Sequence, residues 1–153
     1  MNKNQFKAFC KMKFELYGFK KIKKCFYLIK QDILCGLELQ KSNYGNIYYI
    51  NLFYCIGNYN NITTDLPTSS EGEISSRICV MSKTQTHQGK HFMTAQIEYE
   101  EYSEDELGLF FDKELKEKVL PPIYQGKKYI VENLNKLYFL TLNQNEILCK
   151  LQS

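Results

Sequence analysis

The sequence predicts an α+β domain: an N-terminal helix packed on an antiparallel sheet of about four strands, with helices completing the C-terminal part. Apolar residues recur at spacings of three and four before Gly18 and again after Ser103, as amphipathic helices require. The residues between are rich in aromatic and β-branched types, and polar turn signals divide them into strand-length runs.

The first helix is expected over residues 4–17, where Phe6, Phe9, Cys10, Lys13, Phe14 and Tyr17 share the helical spacing. Asn2 or Asn4 can cap its start, and Gly18 suits the position just past its last turn. From Phe19 the period changes. Residues 20–30 read as a strand, Gln31-Asp32 as a turn and residues 33–40 as the hairpin partner. Lys20, Lys21, Lys23 and Lys24 surround Ile22, a pattern that protects an exposed edge. After the turn signal of residues 42–46, residues 47–54 are apolar on both faces and read as a central strand.

Gly57, Asn58, Asn60, Asn61, Pro67, Ser69, Ser70 and Gly72 make residues 57–75 a long mobile loop, with a fourth strand expected at residues 77–81. Residues 91–99 fit strand and helix templates alike through Phe92, Ala95, Ile97 and Tyr99. Ser103 followed by Glu104-Asp105-Glu106 is a capping box, and Leu107, Phe110, Phe111, Leu115 and Val119 form the stripe of the helix it opens. Pro121-Pro122 is expected to end that helix. Residues 127–137 repeat the helical spacing, 138–142 suit a short extended piece and 143–151 a last helix.

A chain of 153 residues with 44% apolar and 24% charged residues can bury a real core in one domain spanning residues 1–153. This composition excludes disorder and low-complexity architectures. No apolar run approaches the ~20 residues of a membrane helix, and the lysine-rich start does not suit a secretory signal, so a cytoplasmic location is expected. The six cysteines contain no C-x-x-C pair and are expected as buried thiols.

Two segments, Leu16-Tyr17-Gly18-Phe19-Lys20-Lys21 with Phe26-Tyr27, and Leu39-Gln40-Lys41-Ser42 with Tyr48-Tyr49-Ile50-Asn51-Leu52, resemble the domain-of-unknown-function family numbered 4304. The likeness covers roughly the first third, with Phe53 standing where the family often has glycine; the second half is similar in its order of elements. The resemblance implies an α+β fold in small bacterial or phage-type proteins and carries no catalytic residue across.

Chemistry-bearing patterns are sparse. His87 and His91 are four apart, but Gly89 between them argues against a helix that would turn both imidazoles to one metal, and no third ligand stands nearby. Asp32 and Glu38 on one strand would lie six residues apart at ~3.3 Å each, too far to share an ion. There is no G-x-S-x-G elbow, P-loop or G-x-G-x-x-G. No enzyme activity, metal or cofactor is expected.

Charge distribution is the feature that stands out. Over residues 1–30, nine lysines oppose Glu15 alone, a net +8; over residues 98–117, nine acids oppose Lys113 and Lys116, a net −7. The leading expectation is therefore an interaction protein, of the immunity or antitoxin kind, that docks a basic protein on Glu98, Glu100, Glu101, Glu104, Asp105 and Glu106. The alternative is a nucleic-acid-associated protein using the basic N-terminal helix and hairpin, with Lys20, Lys21, Lys23 and Lys24 on phosphate and Phe19, Phe26 and Tyr27 available to stack on bases.

Overall fold

The side chain of Asn2 accepts from the backbone N–H of Gln5 at 2.8 Å, and that of Gln5 accepts from the N–H of Asn2 at 2.9 Å. This reciprocal cap starts the first helix, α1 (Lys3–Leu16), which stops just before Gly18. The computed structural model describes residues 1–62, 64–134, 140–141 and 149–152. After α1 come β1 (Lys20–Ile22), β2 (Cys25–Lys30), β3 (Ile33–Lys41), β4 (Tyr48–Ile56), β5 (Ile74–Arg77), β6 (Val80–His87) and β7 (Lys90–Thr94). Next are α2 (Glu104–Glu114), a π turn (Leu115–Val119), α3 (Leu120–Asn133) and the two-residue β8 (Leu140–Thr141).

The main sheet is antiparallel in the order β1-β2-β3-β4-β5, with β8 extending it beyond β5, while β6 and β7 form a separate ribbon. The α+β class expected from the sequence is the observed one. The extra strand arises where residues 20–30, expected as a single strand, fold back at Lys23-Lys24 and pair Ile22 with Cys25. Lys23 takes a φ of 57°, a conformation that glycine or asparagine usually signals, so the lysine-rich run reads as continuous. The outer strand is β1, as the lysine pattern requires.

The strand expected at residues 77–81 is instead the junction of two. The chain leaves the main sheet after Arg77 and enters the ribbon at Val80. Between them, the Ile78 N–H donates to the Ile50 carbonyl at 3.0 Å and the Cys79 N–H to the Glu114 carboxylate at 2.9 Å, so a side chain takes over from the ladder. The ambiguous residues 91–99 divide between β7 and a bridge joining Ile97 to Tyr48.

Pro121-Pro122 does not end the second helix. The two prolines occupy the first turn of α3, where a missing N–H breaks no helical bond, and the preceding π turn widens the helix around them. The break comes at Gly126, whose φ of 79° and ψ of −164° interrupt α3. Helix then resumes to Asn133. Of the elements expected further on, Leu140–Thr141 is extended, and residues 135–139 and 142–148 lie outside the described residues.

One face of the sheet meets the helices through Phe6, Phe14, Phe26, Leu37, Ile50 and Phe111, all buried. The other carries a smaller cluster of Cys25, Tyr27, Leu34, Phe53 and Cys55, covered by Leu66 from the 57–73 connection; the Tyr27 hydroxyl donates to the Pro67 carbonyl at 2.8 Å. On that face the Phe53 ring lies over Gly36, whose added Cβ would stand 2.0 Å from the ring. A Gly36→Ala variant is therefore expected to lose about 1–3 kcal/mol through overpacking. Urea melts would check it, and an unchanged midpoint would show that Phe53 can swing aside.

Candidate functional site: a lysine-lined cleft

Phe6, Phe9, Cys10 and Phe14 turn one face of α1 into the core, which leaves Lys3, Lys7 and Lys11 on the exposed surface. Four residues apart, they stand one above another at a rise of about 6 Å each. Lys21, Lys23 and Lys24, from β1 and the turn after it, form the facing wall, and Lys41 joins them from the end of β3. Phe26, Leu39 and Tyr48 complete a cleft of about 540 Å³. Among the described residues, seven lysines line it and Glu38 is its only carboxylate.

The aromatic residues of the cleft hold some of these lysines in place. The Lys21 ammonium lies 5.8 Å from the Phe26 ring centre and that of Lys41 5.9 Å from Tyr48. Lys41 also donates to the Gly45 carbonyl. Lys11 reaches Glu15 at 4.0 Å and Lys23 reaches Asp65 at 3.9 Å, both pairs well exposed to water. Among the described residues, Lys3, Lys7, Lys21 and Lys24 form no ion pair with a carboxylate.

Of the four lysines expected at a phosphate site, Lys21, Lys23 and Lys24 come together, while Lys20, one residue back along β1, is not among the lining residues. The structure buries all three expected stacking groups, Phe19, Phe26 and Tyr27; Phe26 lines the cleft, but with Lys21 over its ring it leaves little surface for a base. Sequence reasoning pointed to the basic helix as a whole without singling out Lys3, Lys7 and Lys11, and it missed Lys41. The i, i+4, i+8 recurrence of the first three was the available signal.

The acidic run is divided. Glu98 accepts from the Thr84 hydroxyl at 2.6 Å, and Glu106 accepts from Lys83 at 2.7 Å and from the Ser103 N–H at 3.1 Å. The Lys83 hydrogen bond holds the Glu106 carboxyl below its ordinary pKa. Glu100, Glu101, Glu104 and Asp105 are exposed. Further along α2, Asp112 accepts from Lys13 at 2.8 Å and from the Tyr17 hydroxyl at 2.6 Å. Thus α1 lies directly against α2, and the two charge signs occupy neighbouring surfaces. Lys13 is neutralised at the seam while the cleft lysines lie off it.

Hydrogen bonds from Lys13 and then Tyr17 hold the Asp112 pKa below its ordinary 3.8; burial, then the Asp112 contact, pushes the Tyr17 hydroxyl up to about 12. Because the folded carboxyl titrates lower than the unfolded one, its stabilisation is present above pH 3.8 and is lost as pH falls through the folded value. An Asp112→Asn variant is expected to be less stable at neutral pH and to lose less on acidification. Urea midpoints measured from about pH 6 to about pH 2 would check this, and parallel curves for the two proteins would refute it.

His87 and His91 are both exposed on the β6–β7 ribbon, and among the described residues no three His, Cys, Asp or Glu side chains gather at metal-binding distance. Of the six cysteines expected to be buried, Cys10, Cys25, Cys35 and Cys55 are, whereas Cys79 is half-buried and Cys149 is exposed. Burial pushes the Cys25 and Cys55 thiols up to about 11, which disfavours the nucleophilic thiolate. No described helix is long and apolar enough to cross a membrane.

Sheet, helices on one face and a charged cleft at the sheet's end define an α+β domain whose most distinctive feature is electrostatic. The family described as Domain of unknown function (DUF4304) matches residues 12–122, and the chain belongs to it. Lys21, Lys23, Lys24 and Lys41 fall inside the matched span, and Lys3, Lys7 and Lys11 precede it. No curated protein and no solved structure matches the chain.

Proposed function

We propose that the chain is a non-catalytic binding protein whose lysine cleft takes the phosphate backbone of a nucleic acid without reading its sequence. The observation that carries this reading is the convergence of seven lysines from three elements on a cleft with one carboxylate. Like charges one helical turn apart destabilise a helix by about 0.2–0.5 kcal/mol per pair, so an anion that screens them is stabilising. Lysine supplies point charges without the planar fork that reads base edges, and the neighbouring aromatics are buried, so phosphate is the recognised group. Buried thiols support a reducing, cytoplasmic setting.

Fluorescence anisotropy with duplexes and single strands of unrelated sequence, titrated with salt, tests the proposal. Affinity should be independent of sequence and fall with a log–log slope of about −0.9 per lysine engaged on duplex DNA, or about −0.7 on a single strand. Absence of binding at low salt would end it.

A second reading keeps the acidic surface as a dock for a basic protein, in the manner of an immunity or antitoxin-like factor. It is supported by a groove between α1 and α2 where Glu104 and Asp105 adjoin Met12 and Leu109, which are 50% and 73% exposed. Recovery of a stoichiometric basic protein, lost with Glu104→Gln/Asp105→Asn, would favour this reading.

A further inference from the structure

We propose that the sheet face turned away from the helices carries a second, independent site, a pocket for a soluble phosphomonoester of sugar or nucleotide size with Arg77 as its anion-binding fork. Among the described residues, a pocket of about 690 Å³ forms at the β3–β4–β5 end of that face, within the roughly 300–1,000 Å³ typical of small-molecule sites. Gln40, Asn51 and Ser75 line it from the strands, Ser69 and Ser70 from the turn before β5, and Lys118 from the π turn. It shares no lining residue with the lysine cleft.

Arg77 is the only arginine in a chain that otherwise uses lysine for every basic position, and it sits at this pocket. The residue type matters here, because a planar guanidinium matches two phosphate oxygens at once and an ammonium does not. Its orientation is already set. The Arg77 Nε–H donates to Asn51 Oδ1 at 3.0 Å, the Asn51 amide donates to Gln40 Oε1 at 2.9 Å, and the guanidinium lies 4.1 Å from the centre of the Tyr49 ring. Among the described residues Arg77 forms no ion pair with a carboxylate, so the fork's terminal amino groups remain for a ligand.

Lys118 brings an ammonium to the same pocket: it donates to the Arg77 backbone carbonyl at 2.6 Å and is ion-paired with Glu114 at 3.6 Å. Among the described residues, no carboxylate lines the pocket. A guanidinium fork and an ammonium lining one pocket supply enough donors for the three acceptor oxygens of a phosphomonoester, more than the two oxygens of a carboxylate call for. Serine hydroxyls and the two amides provide both donors and acceptors for a hydroxylated body, and Phe53 gives it an apolar surface.

Calorimetric titration of the full chain with ribose 5-phosphate and with AMP tests the proposal, with ribose, gluconate and inorganic phosphate as comparisons. At least one phosphomonoester should bind saturably and more tightly than all three comparisons. Arg77→Lys and Arg77→Gln should each weaken it by about tenfold or more, with the urea midpoint little changed because Arg77 is exposed. A Lys7→Glu/Lys11→Glu variant should bind it as the parent does, which separates this pocket from the lysine cleft. Failure of both esters to saturate, equal binding of gluconate or inorganic phosphate, or full affinity in Arg77→Gln would overturn it.

Discussion

Replacing Phe14 with alanine is expected to destabilise the protein by about 3–5 kcal/mol, a large share of the roughly 5–15 kcal/mol that holds a domain together. Phe14 is fully buried and stands where three elements meet. Its ring lies 5.2 Å from Phe26 of β2 in an edge-on contact, 6.1 Å from Phe111 of α2 in a nearly parallel one, and 6.3 Å from Phe19. Truncation removes the ring's transfer free energy and leaves a cavity that helix, sheet and second helix cannot all close together. Phe14→Leu, which keeps most of the volume, should cost distinctly less. Urea denaturation of both variants would measure the effect, and a loss under about 1 kcal/mol for the alanine variant would mean that the aromatic junction is not the keystone of the α1–α2 packing.

The elements around that junction were legible because their signals are local. The Asn2–Gln5 and Ser103–Glu106 caps are each confined to four residues, and the stripes they introduce have a helical period that the sheet face then buries. Legibility failed where a residue adopts a conformation its chemistry does not advertise. Lys23 turns the chain with a positive φ, so two strands read as one, and Pro121-Pro122 begins a helix where proline more often ends one. The true break at Gly126 is marked by a residue common in many other settings.

The candidate site was half visible for a different reason. Charge runs along the chain say which segments are basic, and Lys21, Lys23 and Lys24 were found that way. Which lysines face one another depends on α1 lying across the sheet, a tertiary fact that sequence spacing does not contain. The same packing brings Lys13 to Asp112 at 2.8 Å, so opposite charges 99 positions apart in the sequence neutralise each other at the seam. Arg77 and its pocket escaped notice because Gln40, Asn51, Ser75 and Lys118 are polar residues of four different elements with no motif joining them.

The double variant Lys7→Gln/Lys21→Gln, one lysine from each wall of the cleft, is expected to lower the salt dependence of nucleic-acid binding as well as its strength. If all seven lysines meet phosphates of a duplex, the log–log slope should be about −6, and removal of two should bring it to about −4.5. Between 50 and 200 mM salt, the parent would then lose roughly four decades of affinity and the variant roughly three. Neutralising Lys20, which carries the same charge on the same strand but lies outside the cleft, should leave the slope unchanged. This comparison separates a built site from a merely basic surface, since a uniform electrostatic attraction would register the loss of any lysine equally. Equal slopes for the Lys20 and Lys21 single variants would remove the cleft from the account and leave only net charge. A smaller slope for Lys21→Gln with an unchanged one for Lys20→Gln would fix the binding surface between α1 and the β1–β2 turn.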